Sequence, residues 1–492
     1  MPLSGDEAGF SLLQASGQAV TYEDRIPQCI VPIQGIKNFT NYSKGFSVKY
    51  VIDSLRTNEG MQPPFYLICL HYVLKYLGSN TFMLRLISII LSLISIFLIY
   101  TLGKILYNEY VGILSAIFLS LSPYGVMYGP MVRPYPLAMT LSLLSTIRMI
   151  KLSRTPTLSF KDKKLFSYIV TVLIGLYTIY HFIFVFLSQI IALLATNLRN
   201  KKNILKITTI FIIIALLYLP WIPFLLDQLN VINSGKFYFH GGGYISASSF
   251  ATQLLLSNYT RILFLESRLV PFVGLVSIAV LVMILVAVIF TLRSPDRRSF
   301  VVMVAVYFLS YCISERLTNM HTLTVSKFYF FMIPALFVMV AVGIYKIMPG
   351  NFLRNACALL FTAILLSNSV FVSFARPPAL DPPLGLRNVR DKIGSILKNG
   401  QKGLVIVNTD DRRCLLSLAD AINTPVDIKV LSKKLSPDGH LESLKNIGDY
   451  QYIFFVTFYN KDIAYPPEKT EYILTHLKMF KNVILVTIAN VK

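Results

Sequence analysis

The chain has 492 residues, 54% of them hydrophobic and only 14% charged, with a mean hydropathy of +0.61. Soluble domains carry roughly a quarter charged residues, so this composition excludes an ordinary soluble protein and points to a polytopic membrane protein. The net charge of +22, from 46 Lys and Arg against 24 Asp and Glu, does not indicate nucleic acid, because the cations stand in short clusters between apolar runs, as the positive-inside rule expects.

Residues 1–82 form a polar opening stretch. Residues 1–20 lack a basic leader and a clean apolar core, so no cleavable signal peptide is expected. Asp6 and Glu7 are adjacent carboxylates just ahead of an amphipathic run with Phe10, Leu12 and Leu13. On composition alone, the pair reads as solvated acids near a chain start. Further on, Gln62-Pro63-Pro64 is a rigid elbow, since each proline fixes its own φ and biases the preceding residue toward extended backbone. A helix is expected to begin close to Pro64, prolines being suited to a first turn. The run 64–78 is short and carries His71 and Lys75, which places it at the membrane interface as an amphipathic helix.

A hydrocarbon core takes about 20 apolar residues per helix. Ten spans are expected near 83–101, 110–127, 133–150, 165–180, 181–197, 204–225, 269–292, 300–314, 325–347 and 352–374. The run 165–197 supplies two spans only if it breaks near Tyr180-His181. With that count, four basic loops fall on one side: Lys151 to Lys164, Arg199 to Lys206, Arg293 to Arg298, and Lys346 with Arg354. That side is cytoplasmic by the positive-inside rule. Residues 1–82, the 128–133 turn, the 226–268 and 315–325 loops, and everything after about 375 then face outward.

The tail differs in kind. Residues 385–492 alternate strand-like runs at Gly403, Tyr452 and Val483 with helical patterns over 387–398, 412–423 and 468–478, which suggests a small α/β domain. The expected organisation is therefore an extracytoplasmic first loop (1–82), a transmembrane core (83–374) and an extracytoplasmic α/β domain (385–492).

Polar side chains at membrane depth are costly and invite a functional reading. Arg133, at the outer end of two spans, is either a snorkelling residue or a fixed cation for a phosphate or carboxylate. His181, beside Tyr180, is either satisfied at a helix end or a ligand of a phosphate or sugar. Lys327, Glu315 and Arg316 at outer ends read first as interfacial residues, and Gly241 to Gly243 as a flexible loop. The five cysteines lack paired metal spacing, which disfavours a zinc or disulfide framework. Walker, G-x-S-x-G and H-E-x-x-H patterns are absent, against an ATP-driven pump, a hydrolase of that type or a zinc protease.

An ordered series of short pieces carries a resemblance: Asp6-Glu7-Ala8, the Gln62 to Tyr66 elbow, Leu84 to Ser88, Leu121 to Pro123, Arg133-Pro134-Tyr135, Leu176 to Thr178 with Tyr180-His181, and Leu219 to Phe224. In that order they resemble the polyprenyl-phosphate-sugar-dependent glycosyltransferases of type C architecture, which include protein O-mannosyltransferases and the aminoarabinose transferases that modify lipid A. The resemblance implies a multi-pass plasma-membrane enzyme with an outward-facing site. It implies a polyprenyl-phosphate-linked sugar as donor, a lipid, glycan or protein as acceptor, and transfer with inversion. Asp6, with Glu7 beside it, is implied as the general base. Gln62, Arg133, Tyr135, Tyr180, His181 and Lys327 are implied as contacts to donor phosphate or sugar. No cofactor is assigned, and a divalent metal ion is left open. Nucleic acid is not an expected partner; membrane lipids are.

Three departures accompany it. Met131 stands where the family usually has a Glu two residues before the arginine, and Gln62 stands where a His or Lys often precedes the two prolines. The family also has a transmembrane helix before its Asp-Glu pair, and this chain is expected to be missing it. The alternatives are a non-catalytic family member and a transporter or flippase of lipid-linked sugars. The latter would bring paired repeats and broken helices, which the sequence does not clearly show.

Overall fold

Apolar runs in a medium without water satisfy their backbone groups internally, and here they do so as helices. The computed structural model describes residues 7–19, 30–43, 45–57, 62–155, 162–198, 200–231, 273–318, 330, 333–348, 350–375, 385–397, 401–407, 412–422, 424–431, 444, 449–458, 467–477 and 483–488. Asp6 and Lys327 lie outside these residues. Contacts divide the chain into two units: Met61–Tyr66 with Arg85–Ala375, and Met1–Gly60 with Leu67–Leu84 and Arg376–Lys492.

The larger unit is helical. Among the described residues, Thr81–Leu106, Lys201–Asn230 and Asn351–Val370 are long and apolar enough to cross a membrane. Shorter apolar helices, Glu109–Leu121, Phe182–Thr196, Ile278–Leu292 and Ile333–Ile347, accompany them. Leu93, Phe97, Leu285 and Leu359 are each more than half exposed on these helices. An apolar surface of that extent suits lipid rather than water. By contrast, helix Ile333–Ile347 is buried from Ile333 to Ile344 and packs against Val273–Leu292 and Glu109–Leu121. Gly343 permits the first of these contacts: a Cβ there would stand 2.5 Å from the Met283 carbonyl oxygen. Backbone approach of this kind is how small residues tighten helix pairs in lipid. Gly343→Val is therefore expected to cost about 1–3 kcal/mol by overpacking, read as a lower thermal midpoint of the detergent-solubilised chain.

Polar groups inside this unit pair across helices. Gln189 Nε2 donates to Ser145 Oγ at 2.9 Å and Thr146 Oγ1 at 3.2 Å, and Ser95 Oγ lies 2.9 Å from Thr140 Oγ1.

In the smaller unit, five strands order as β1-β3-β2-β4-β5: β1 Val31–Pro32, β2 Gly403–Val407, β3 Asp427–Val430, β4 Tyr452–Phe458 and β5 Val483–Ile488. Strands β2 to β5 are parallel neighbours, with helices Gly385–Ile396, Arg412–Ala421 and Pro467–Leu477 in the same stretch of chain. Parallel strands are covered on both faces, and β2 is buried along its whole length. The opening segment contributes the edge strand: β1 runs antiparallel to β3, with Val31 opposite Ile428 and Pro32 opposite Asp427. A proline is tolerated there because an edge strand leaves one row of backbone donors unused. Lys37 Nζ donates to the Ile422 carbonyl at 2.8 Å, adding a second tie.

The helical segment Ala8–Leu12 and Leu13–Ala15 is held within this unit. It packs on helix Arg412–Ala421. Ser16 Oγ donates to Phe39 O at 2.8 Å, Gln18 Nε2 donates to Asn38 O and Asn41 O at 2.9 and 2.8 Å, and His71 Nδ1 lies 2.7 Å from Ala15 O. Helix Pro64–Leu77 starts at Pro64. Leu67, Leu70, His71 and Leu74 are buried on one side of it, and Tyr72, Tyr76 and Leu77 are exposed on the other.

Tyr450 donates its hydroxyl to Asp427 Oδ2 at 2.6 Å, and burial first, then this carboxylate, raises its pKa above the ordinary tyrosine value. Tyr450→Phe is expected to lower stability by about 1 kcal/mol at neutral pH. A raised pKa in the folded state stabilises below the unfolded value of about 10, and that contribution is lost as pH rises further. The deficit of the variant should accordingly shrink above about pH 10, measured by hydrogen exchange of β3 in the full chain.

Candidate functional site

The elbow is fixed at three points. Pro63 and Pro64 set its backbone, the Phe65 N–H donates to Tyr177 O at 2.9 Å, and the Gln62 carbonyl accepts from Gln228 Nε2 at 3.4 Å. Gln62 is 7% exposed, and its Oε1 is buried without a hydrogen-bond partner among the described residues.

Tyr177 and Tyr180 belong to the break that the sequence places near Tyr180-His181. Helix Lys163–Leu176 ends, a turn follows, and helix Phe182–Thr196 begins with His181 as its N-cap residue. Gly175 makes the turn close-packed, since a Cβ there would fall 2.4 Å from the Phe182 ring. Tyr180 OH donates to Gln228 Oε1 at 2.7 Å and accepts from Trp221 Nε1 at 3.0 Å. Trp221 stacks on Phe224 with centroids 4.5 Å apart, and Tyr177 meets Tyr218 edge-on at 5.1 Å. Gln62, Tyr180, Trp221 and Gln228 are thus one hydrogen-bonded group walled by aromatic rings.

A second group forms at the 129–135 turn. Ser92 Oγ donates to Gly129 O at 3.1 Å, and the Arg133 N–H donates to Met131 O at 2.8 Å. Arg133 is 6% exposed; its Nη2 donates to Tyr135 OH at 3.3 Å, and its guanidinium carbon lies 5.5 Å from that ring's centroid. Tyr135 meets Tyr128 edge-on at 5.6 Å, and Tyr128 meets Phe330 at 5.3 Å. The buried cation therefore lies beside the Tyr135 ring, which is itself packed in an aromatic row with Tyr128 and Phe330. Met131 is half-buried.

Of the residues expected from sequence, Gln62 joins Tyr180 through Gln228, and Arg133 joins Tyr135 directly. His181 neighbours Tyr180 in the chain, while its ring lies 6.2 Å from that of Phe184. Glu7 is described and buried, at 2% exposure, in the smaller unit. Asp6 and Lys327 fall outside the described residues. Gln228 and the role of Trp221 were not foreseen; an amide in an apolar helix, costly in lipid unless bonded, was the available signal for Gln228. Among the described residues, no three His, Cys, Asp or Glu side chains group closely enough to hold a metal ion.

Tyr180→Phe removes a donor to Gln228 and an acceptor for Trp221. It is expected to cost about 1–3 kcal/mol and to shift the emission of Trp221, which is the one tryptophan of the chain.

The sequence profile of the family described as dolichyl-phosphate-mannose-protein mannosyltransferase matches residues 61–224. Gln62, Arg133, Tyr135, Tyr180, His181 and Trp221 all lie inside that stretch, and Gln228 follows it by four residues. The chain thus resembles the type C glycosyltransferases, with the sequence match confined to those residues. Solved structures similar to it include ArnT from Cupriavidus metallidurans in the apo state, with 11% identity, a TM-score of 0.43, and 78% of this chain and 77% of that one covered. The same protein bound to undecaprenyl phosphate shows 11% identity, a TM-score of 0.46 and coverage of 90% and 84%. The oligosaccharyltransferase of Archaeoglobus fulgidus, in complex with Zn and sulfate, shows 13% identity, a TM-score of 0.49 and coverage of 86% and 58%. No curated protein matches the chain.

Proposed function

We propose that the chain is an integral-membrane glycosyltransferase that moves a sugar from a polyprenyl-phosphate-linked donor to an acceptor hydroxyl on the extracytoplasmic face, with inversion. The observation that carries this reading is the match to the mannosyltransferase family over residues 61–224, the stretch that holds the buried Arg133 and the Gln62–Tyr180 group. In this reading Asp6 takes the proton of the acceptor hydroxyl, whose oxygen attacks the anomeric carbon. The bond from that carbon to the phosphate oxygen breaks, and the lipid phosphate leaves with its electron pair. Arg133 stabilises the charge that develops on the phosphate. Tyr135 orients the guanidinium, and Tyr180 and His181 line the donor side. Lys327 adds a second cation.

The architecture of this proposal is ten spans over 83–374, with the first loop and the tail on the outer face and the tail helping to receive the acceptor. The pairing of β1 with β3 supports a shared face, since two strands in one sheet lie on one side of a bilayer. The test is release of polyprenyl phosphate by the purified chain from a panel of lipid-linked sugars in the presence of acceptors. Acceptor-dependent release supports the proposal. Binding without release from any donor favours the second reading, a non-catalytic relative, for which Met131 in place of a carboxylate is the specific observation.

A further inference from the structure

We propose that Gln62 reads the sugar and not the phosphate: its Oε1 accepts a hydroxyl of the sugar carried by the lipid-linked donor. This rests on the glycosyltransferase reading above. The side chain is 7% exposed, and its oxygen is buried with no donor among the described residues. Buried acceptors without a partner are few in native proteins, and each calls for an explanation. Loose packing is not the explanation here, because the backbone that carries the amide is tied down. Two prolines follow it, its own carbonyl is held by Gln228, and the next turn is pinned to Tyr177. The oxygen is thus presented by a constrained backbone.

Its chemistry selects the ligand. An amide oxygen accepts hydrogen bonds and cannot donate them. Phosphate oxygens are acceptors too, so the two repel, whereas a sugar hydroxyl supplies a donor, which none of the described residues gives this oxygen. In the family pattern this position often holds His or Lys, either of which would meet the phosphate. Exchange for a neutral amide removes the cation from this position and leaves a buried acceptor, Oε1, in its place. Sites built to bond a hydroxyl discriminate strongly against ligands without it, so Gln62 is a specificity residue for the sugar.

The test uses the full chain in lipid nanodiscs, with Trp221 emission as the binding signal; Trp221 shares the Tyr180–Gln228 network with Gln62. The probes are undecaprenyl phosphate alone and the same lipid carrying mannose, glucose or N-acetylglucosamine. Wild type should bind at least one sugar-bearing lipid about tenfold more tightly than the bare one, the scale of one good hydrogen bond. Gln62→Leu should lose that increment and keep the affinity for bare lipid phosphate. Gln62→Glu, which keeps an acceptor of the same reach, should keep the increment. A weaker bare-lipid affinity in Gln62→Leu would place the side chain on the phosphate and overturn the proposal, as would an increment that survives Gln62→Leu or is missing from wild type. Wild-type protein that binds neither kind of lipid would instead sink the glycosyltransferase reading.

Discussion

Turnover of the Asp6→Asn variant is expected to fall about 100- to 10,000-fold, the usual contribution of a general base, with the affinity for polyprenyl phosphate unchanged. An asparagine has the size of the aspartate and keeps one oxygen, but it cannot take a proton from an acceptor hydroxyl. The loss should therefore appear in kcat and in release of lipid phosphate, and not in lipid binding. The described segment from Ala8 onward is anchored through Ser16, Gln18 and the His71 contact to Ala15. Unchanged release in Asp6→Asn would remove the residue from the chemistry and turn attention to Glu7, its buried neighbour.

What the sequence made legible followed from local rules. The Pro63-Pro64 pair marks a helix start, and the helix begins at Pro64 because proline suits a first turn. The interruption near Tyr180-His181 lies where Gly175 and the following turn separate two helices. Strands β2, β4 and β5 coincide with the apolar runs at Gly403, Tyr452 and Val483, since strands covered on both faces read as unbroken apolar stretches. Strand β3 does not read that way because Asp427 and Lys429 interrupt it, and β1 is two residues long with a proline. The hydrogen-bonded group around Gln62 was illegible for a different reason. Gln62 and Gln228 are 166 positions apart, and only the packed fold brings such residues together.

The strand pair also constrains the path of the chain. Val31 and Ile428 are neighbours in one sheet, so a membrane-spanning chain crosses the bilayer an even number of times between them. Any even count satisfies that condition, so the pairing restricts the parity of the crossings and not their number.

Arg133 carries the second large expected effect. Replacement by Gln should lower kcat/KM about 100- to 1000-fold, the scale of removing one preorganised group at a site of developing charge, and should weaken binding of bare polyprenyl phosphate as well. Lys should restore only part of this, because an ammonium lacks the planar fork and the ring stacking of guanidinium. The burial of Arg133 beside Tyr135 makes these outcomes distinguishable from an interfacial role. Arg133 is 6% exposed and pinned over Tyr135, so it is not a side chain reaching out to water. A residue that merely anchored the turn would, when changed, lower the thermal midpoint and leave lipid affinity intact in the protein that remains folded. A phosphate ligand would lose affinity in that same folded fraction. Tyr135→Phe separates the two contributions further: it keeps the ring beneath the guanidinium and removes only the hydroxyl 3.3 Å from Nη2, so its effect should be about tenfold or less. A loss in Tyr135→Phe as large as in Arg133→Gln would mean that the hydroxyl itself meets the ligand, and the phosphate would then be held by the pair and not by the cation alone.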